Sequence, residues 1–187
     1  SVMQQYIHLL TNNGTGIPND IWVPVTDKIP PQRAEQLSIG INKYFEKSNI
    51  EVSLEAYNKR SSGLIDYEEG ANFLFDFSTN WQDIVETNGQ GEAYGIEFFL
   101  HKKRGRWNGW FGYTLAWNNR LFNTINQGNW YPAKYDKRHD IEAIFNYKIN
   151  EKWDFSASWI YSTGAAITMP TAQYQSSITG YLVSVYS

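Results

Sequence analysis

Apolar and polar residues alternate with a period of two along several stretches of this chain. Residues 49–58 read NIEVSLEAYN, with Ile50, Val52, Leu54 and Ala56 on one face and Glu51, Ser53, Glu55 and Tyr57 on the other. In residues 94–102, Tyr94, Ile96, Phe98 and Leu100 oppose Gly95, Glu97, Phe99 and His101. Residues 107–118 set Trp107, Gly109, Phe111, Tyr113, Leu115 and Trp117 against Asn108, Trp110, Gly112, Thr114, Ala116 and Asn118. Ile141, Ala143, Phe145 and Tyr147 alternate with Asp140, Glu142, Ile144 and Asn146, and Trp153, Phe155, Ala157, Trp159 and Tyr161 with Asp154, Ser156, Ser158 and Ile160. Leu37, Ile39 and Ile41 extend the series. A helix brings together residues three and four apart, which none of these segments matches over its length, so the pattern predicts β-strands.

The connections between these strands sort by length. About four residues separate them near 46–49, 103–106 and 149–151, whereas roughly 20 to 30 fill 11–33, 59–91, 119–137 and the stretch from 163 on. Short periplasmic turns alternating with long extracellular loops are the habit of outer-membrane β-barrels. A strand of ten residues, rising about 3.3 Å each and tilted by roughly 40°, climbs about 25 Å, the height of the apolar band between two aromatic girdles. Trp107 and Trp153 open strands after short turns, while Trp117 and Tyr161 lie near the far ends, so these four are candidate membrane-interface aromatics. The expected fold is all-β, an antiparallel up-and-down transmembrane barrel segment. A soluble β-sandwich is the alternative, but its strands average about five to six residues and its connections do not sort in this way.

Composition agrees with a wall that is apolar on one side and wet on the other. The chain is 17% aromatic, with 8 Trp and 13 Tyr, yet its mean hydropathy is −0.51. No run approaches the roughly 18 apolar residues of a membrane helix, so any crossing is made by strands. A net charge of −3 without a basic stripe argues against nucleic acid as a partner. Zero cysteines removes disulfides and thiolate metal sites. Residues 1–10 lack the basic and apolar regions of a secretory signal, so an exported parent is expected to begin upstream.

Candidate chemistry is sparse. His8, His101 and His139 have no metal-ligand spacing, so neither a metal site nor a cofactor is expected. Asp140 and Glu142 share a strand face at roughly 6.5 Å, a separation that suits a glycosidase pair. In a barrel, however, Glu51, Glu55, Glu97, Asp140, Glu142 and Asp154 all read as charges lining a polar lumen, and no enzyme is expected. The mixed charges from Asp136 to Asp140 suit a local ion-pair network where a long loop re-enters the wall. Lys102, Lys103, Arg104 and Arg106 form a basic turn, read as solvated. The long loops carry exposed aromatics, among them Phe73, Phe75 and Phe77. Of these loop aromatics, Trp22, Trp81, Trp130, Tyr131 and Tyr174 are the candidate substrate-binding residues.

Several motifs, in order, resemble the barrel of TonB-dependent receptors, particularly of the Bacteroidetes type. Tyr94-Gly95-Ile96-Glu97 resembles that family's YG-hydrophobic-E strand opening, and Gly112-Tyr113-Thr114 its following GYT strand. Tyr135-Asp136-Lys137-Arg138-His139, followed by a strand and then residues 159–164, is similar to its Y-D-R-R-H and W-x-Y-x-T-G pair, with Lys137 in place of an arginine. Residues 18–24 (PNDIWVP) and 28–36 (KIPPQRAEQ) resemble a loop and strand entry of the same family. The resemblance implies a 22-stranded barrel, of which about seven or eight long strands fall within 1–187, with plug domain, TonB box and closing strands elsewhere in a longer receptor. It also implies active import of a scarce nutrient, such as a siderophore, cobalamin, haem, peptide or glycan, across the outer membrane of a Gram-negative bacterium. Its partners would be outer-membrane lipid, the TonB complex through the plug, the small nutrient ligand and a surface lipoprotein. The alternatives are a passive porin or adhesin barrel, or a soluble glycan-binding β-domain.

Overall fold

The protein is described by a computed structural model, which covers residues 6–10, 20–67, 85–164, 172–175 and 182–185, with side chains between 24 and 66 and between 85 and 164. It is all-β among these residues. Strands β1 (Tyr6–Leu10) and β2 (Asp20–Pro24) form one antiparallel pair, and β10 (Ala172–Gln175) and β11 (Leu182–Val185) another. The remainder is a seven-stranded antiparallel sheet of β3 (Arg33–Phe45), β4 (Ile50–Tyr67), β5 (Val85–Lys102), β6 (Trp107–Leu121), β7 (Tyr131–Pro132), β8 (His139–Lys148) and β9 (Asp154–Ser162). Its order is β3-β4-β5-β6-β8-β9, with the two-residue β7 attached to the far end of β6. Each long strand thus pairs with the next long strand in the chain. The sheet does not close on itself: β3 and β9 are its edges.

Among the described residues six long strands lie in the sheet, β7 has two residues, and β1, β2, β10 and β11 form short pairs. Strands β3 to β6 are longer than expected. Both ends of the stretch from 59 to 91, expected as a loop, are strand, since β4 runs on to Tyr67 and β5 begins at Val85. Gly, Ser and charged residues dominate that stretch and mask the pattern. Its pairing is also irregular, with register shifts between Ser62, Leu64 and Asp66, and such bulges break a strict two-residue alternation.

Short and long connections still fall on opposite ends of the sheet. The short ones are 46–49, 103–106 and 149–153, and the long ones are 68–84 and 122–138. The first short turn closes with Asn49 at φ 53°, a conformation that asparagine adopts more readily than most residues. Within β6, Gly109 has φ 149° and meets the Ile144 carbonyl of β8 so closely that a Cβ would overlap it.

Every apolar set read from the alternation lands on the same face. Cross-strand partners share a face, and the rows run Ile39, Ala56, Ile96, Leu115; then Ile41, Leu54, Phe98, Tyr113, Ile141, Tyr161; then Val52, Leu100, Phe111, Ala143, Trp159. This face is not packed away: Leu37 is 78% exposed, Ile39 76% and Ile41 71%. Six strands spaced about 4.8 Å apart, each paired over roughly ten residues of about 3.3 Å, present a face on the order of 800 Å2. A soluble monomer rarely shows an apolar patch beyond a few hundred Å2.

What is buried lies at the other side of the long-connection end. Ile65, Val85, Phe122, Ile125 and Ala133 are buried in the distal parts of β4 and β5 and in the 122–138 connection, and Ile29 in the segment leading into β3. Phe122 occupies the space above Gly89, which no side chain could share. Asp66 of β4 receives Arg120 Nη1 at 3.1 Å and the Tyr131 hydroxyl at 3.4 Å, tying the β4–β5 extension to the connection.

Candidate functional site

The six carboxylates expected to line a lumen all stand on the face opposite the apolar one. Register fixes this. Glu55, Glu97 and Asp140 occupy one row, bridged by Thr114; Glu142 pairs with Gly112, in the row of Phe99 and Ser53; Glu51 pairs with His101, and Asp154 with Lys148. Directly opposed like charges such as Glu55 and Glu97 repel unless water surrounds them, so this face suits an aqueous space. At its short-turn end Lys103 holds Glu51 at 2.6 Å and lies 5.2 Å from the Tyr44 ring centroid. The hydrogen bond to Glu51, reinforced by the charge of that carboxylate, holds the Lys103 ammonium above the usual lysine value.

A recess of about 630 Å3 opens on this polar face. Its floor is aromatic: Phe99 and Trp110 lie with ring centroids 6.0 Å apart, and Gly112 between the strands leaves the space above them open. Asp140 and Glu142 line one wall, while Tyr135, Asp136 and Lys137 of the re-entering connection line another. Flat rings beside carboxylates, a tyrosine and an ammonium can both stack against and hydrogen-bond a polar organic molecule. Phe99 and Trp110 were not singled out as site residues in the sequence. The available signal was that both are aromatic at positions where the alternation calls for small or polar side chains.

The connection is held over the recess by a built joint. The backbone N–H of Asn118 donates to Asp136 Oδ1 at 2.7 Å, and Arg138 Nη2 donates to Asp136 Oδ2 at 3.1 Å. Arg138 lies over the Trp117 ring at 4.6 Å, and Trp117 stacks on Tyr94 at 5.2 Å. A little further along, the Tyr113 hydroxyl and His139 Nδ1 share a hydrogen bond of 2.9 Å. The mixed-charge stretch is therefore the ion-pair joint expected where the chain re-enters the sheet.

The aromatic candidates for substrate binding scatter. Trp130 is exposed on the connection at 47%. Tyr131 is half-buried in β7, bonded to Asp66. Trp22 and Tyr174 lie within β2 and β10 rather than in irregular loops, and their side chains, like Trp81, Phe73, Phe75 and Phe77 as a whole, lie outside the described residues. Of the aromatics expected at a membrane interface, Trp107, Trp117 and Tyr161 are on the apolar face, and Trp153 sits in the turn before β9, 68% exposed, where its carbonyl accepts from Ile149 and Asn150. Among the described residues no cluster of three potential metal ligands occurs, and no helix is long and apolar enough to cross a membrane, which says nothing of strands. Comparison with protein-family models, with curated proteins and with solved structures returns no match.

Proposed function

We propose that this chain builds part of the wall of a transmembrane β-barrel in the outer membrane of a Gram-negative bacterium, and that the barrel is that of a TonB-dependent receptor importing a scarce nutrient. The observation that carries the barrel reading is the exposed apolar face, continuous across β3 to β9 and backed by a face of carboxylates. A two-sided sheet of this kind matches lipid outside and water inside. Between Trp107 and Trp117 the strand advances about 33 Å, which at a tilt of roughly 40° is about 25 Å of height.

The slant of the sheet supports the same reading. The row that starts at the strand ends Phe45, Ile50 and Lys102 meets β6 at Gly109, β8 at Phe145 and β9 at Ala157, each inside its strand. The stagger accumulates in one direction, as a wall of tilted strands requires. Open edges at β3 and β9 present unpaired backbone groups that lipid cannot satisfy, so further strands are needed to close the wall. The 22-strand size, the plug and the TonB-driven import come from the ordered motifs alone.

In this reading the short turns face the periplasm, and the long connections with Trp130 and the Phe99–Trp110 recess meet the incoming ligand. Fractionation of cells expressing the intact parent gene tests it. The protein is expected in the outer-membrane fraction, with uptake of its nutrient abolished when TonB is deleted. Recovery in detergent-free soluble extract would contradict the barrel; uptake that survives TonB deletion would leave a passive porin instead.

A further inference from the structure

The basic turn between β5 and β6 does not simply point into solvent. Lys102 Nζ lies 4.8 Å over the Trp107 ring centroid, and the Arg106 guanidinium 5.4 Å over that of Tyr147. Both rings belong to the apolar face, where Trp107 pairs with Tyr147 and Tyr147 with Phe155 in one row. Backbone carbonyls fix the cations there: Lys102 donates to Ser48 O at 2.6 Å, and Arg106 to Lys148 O at 3.3 Å and Ile149 O at 3.1 Å. Lys43 stands on the same face, opposite Val52 and two residues from the end of β3, within reach of the rim by its four-carbon stem. Arg104 is exposed in the turn itself.

The distribution of charge on this face is one-sided. Its strand carboxylates, Glu35 and Glu92, share a row with Arg60 near the opposite end. At the short-turn end the strands of this face carry Lys43 and Lys102 and no carboxylate, and the turns beyond them carry Glu46 and Glu151 against Lys47, Arg104, Arg106 and Lys152. Lys103, the remaining cation of the turn, is on the other face, paired with Glu51.

We infer that the short-turn rim of the apolar face, formed by Lys43, Lys102, Arg104 and Arg106 above Trp107 and Tyr147, binds the phosphate of anionic glycerophospholipid headgroups. Aromatic rings at this height sit at the boundary of acyl chain and headgroup, and the cations laid on them meet the phosphate layer. Each cation near an anionic surface contributes about a fivefold preference, corresponding to about 1 kcal/mol. The inference rests on the membrane reading above, and the two fail in different ways.

Native mass spectrometry of the protein in detergent micelles, offered phosphatidylglycerol and phosphatidylcholine in equal amounts, tests it. Retention of phosphatidylglycerol over phosphatidylcholine by about fivefold or more is expected. Lys102→Gln with Arg106→Gln should lower that preference severalfold. Lys43→Gln with Arg104→Gln, which removes charge from exposed side chains, should lower the preference about as much and decides the matter if the first pair does not fold. Lys103→Gln, the same charge lost from the same turn but on the other face, should leave the preference intact. An equal loss in Lys103→Gln, no preference in the unaltered protein, or displacement of the lipid by inorganic phosphate would each overturn the headgroup site. Equal retention of both lipids would do so while leaving the membrane reading standing, whereas failure to retain either lipid would count against both.

Discussion

Gly95 shows at single-residue scale why one of the family-like motifs has its form. It is buried, and a Cβ placed on it would sit 2.7 Å from the Leu115 carbonyl oxygen and 3.0 Å from the Tyr57 hydroxyl. Tyr57 is its direct cross-strand partner, so the tyrosine ring covers a position that has no side chain of its own. Gly95→Ala should therefore destabilise the folded protein by about 1–3 kcal/mol, the usual cost of overpacking, read as a lowered urea midpoint. An unchanged midpoint would mean that both the Tyr57 ring and the β6 backbone at Leu115 give way freely. Lys103 supplies a second residue-scale test. Its pKa is raised above 10.5 by the hydrogen bond to Glu51, so the stabilisation from that pair is complete below pH 10.5 and fades as pH rises through the raised value. Titrating from about pH 9 to about pH 12 should lower stability in the unaltered protein more than in Lys103→Gln, by a small margin because the pair is exposed. The faces on which Glu51, Tyr57 and Gly95 stand were legible in the sequence; the contact of Tyr57 with Gly95 and of Lys103 with Glu51 was not, since each depends on a register that only pairing sets.

At the scale of elements, the strands that alternate cleanly were legible and the ones that do not were missed. Residues 107–118 and 141–147 fall within β6 and β8, where one face of each strand is apolar and the other largely polar. The distal halves of β4 and β5 escape that rule. They are held by local contacts around Ile65, Val85 and Phe122 and by the Arg120–Asp66–Tyr131 network, so their side chains answer to a small cluster and not to a two-sided sheet. Phe122 is 2% exposed and fills the site over Gly89. Phe122→Ala should cost this cluster about 3–5 kcal/mol. Protease cleavage is then expected to rise within 122–138 while β3 to β6 near the short turns stay protected. Equal loss of protection throughout would show that the extension and the wall fold as one unit. The recess at Phe99 and Trp110 was also missed, because two aromatics on a polar face become a site only when β5 and β6 lie side by side.

For the molecule as a whole, the central claim is that one face of the sheet meets lipid and the other meets water. The absence of cysteine makes this directly measurable, since any introduced thiol is the only one present. Single cysteines at Ile39, Gly40, Leu54, Glu55, Ala143 and Glu142, each carrying a bimane fluorophore, would be read in the protein assembled in vesicles whose acyl chains are brominated. Strong quenching at Ile39, Leu54 and Ala143 and little at Gly40, Glu55 and Glu142 is the predicted result. Quenching that fails to alternate, with both faces equally open to a water-soluble quencher, would contradict the account.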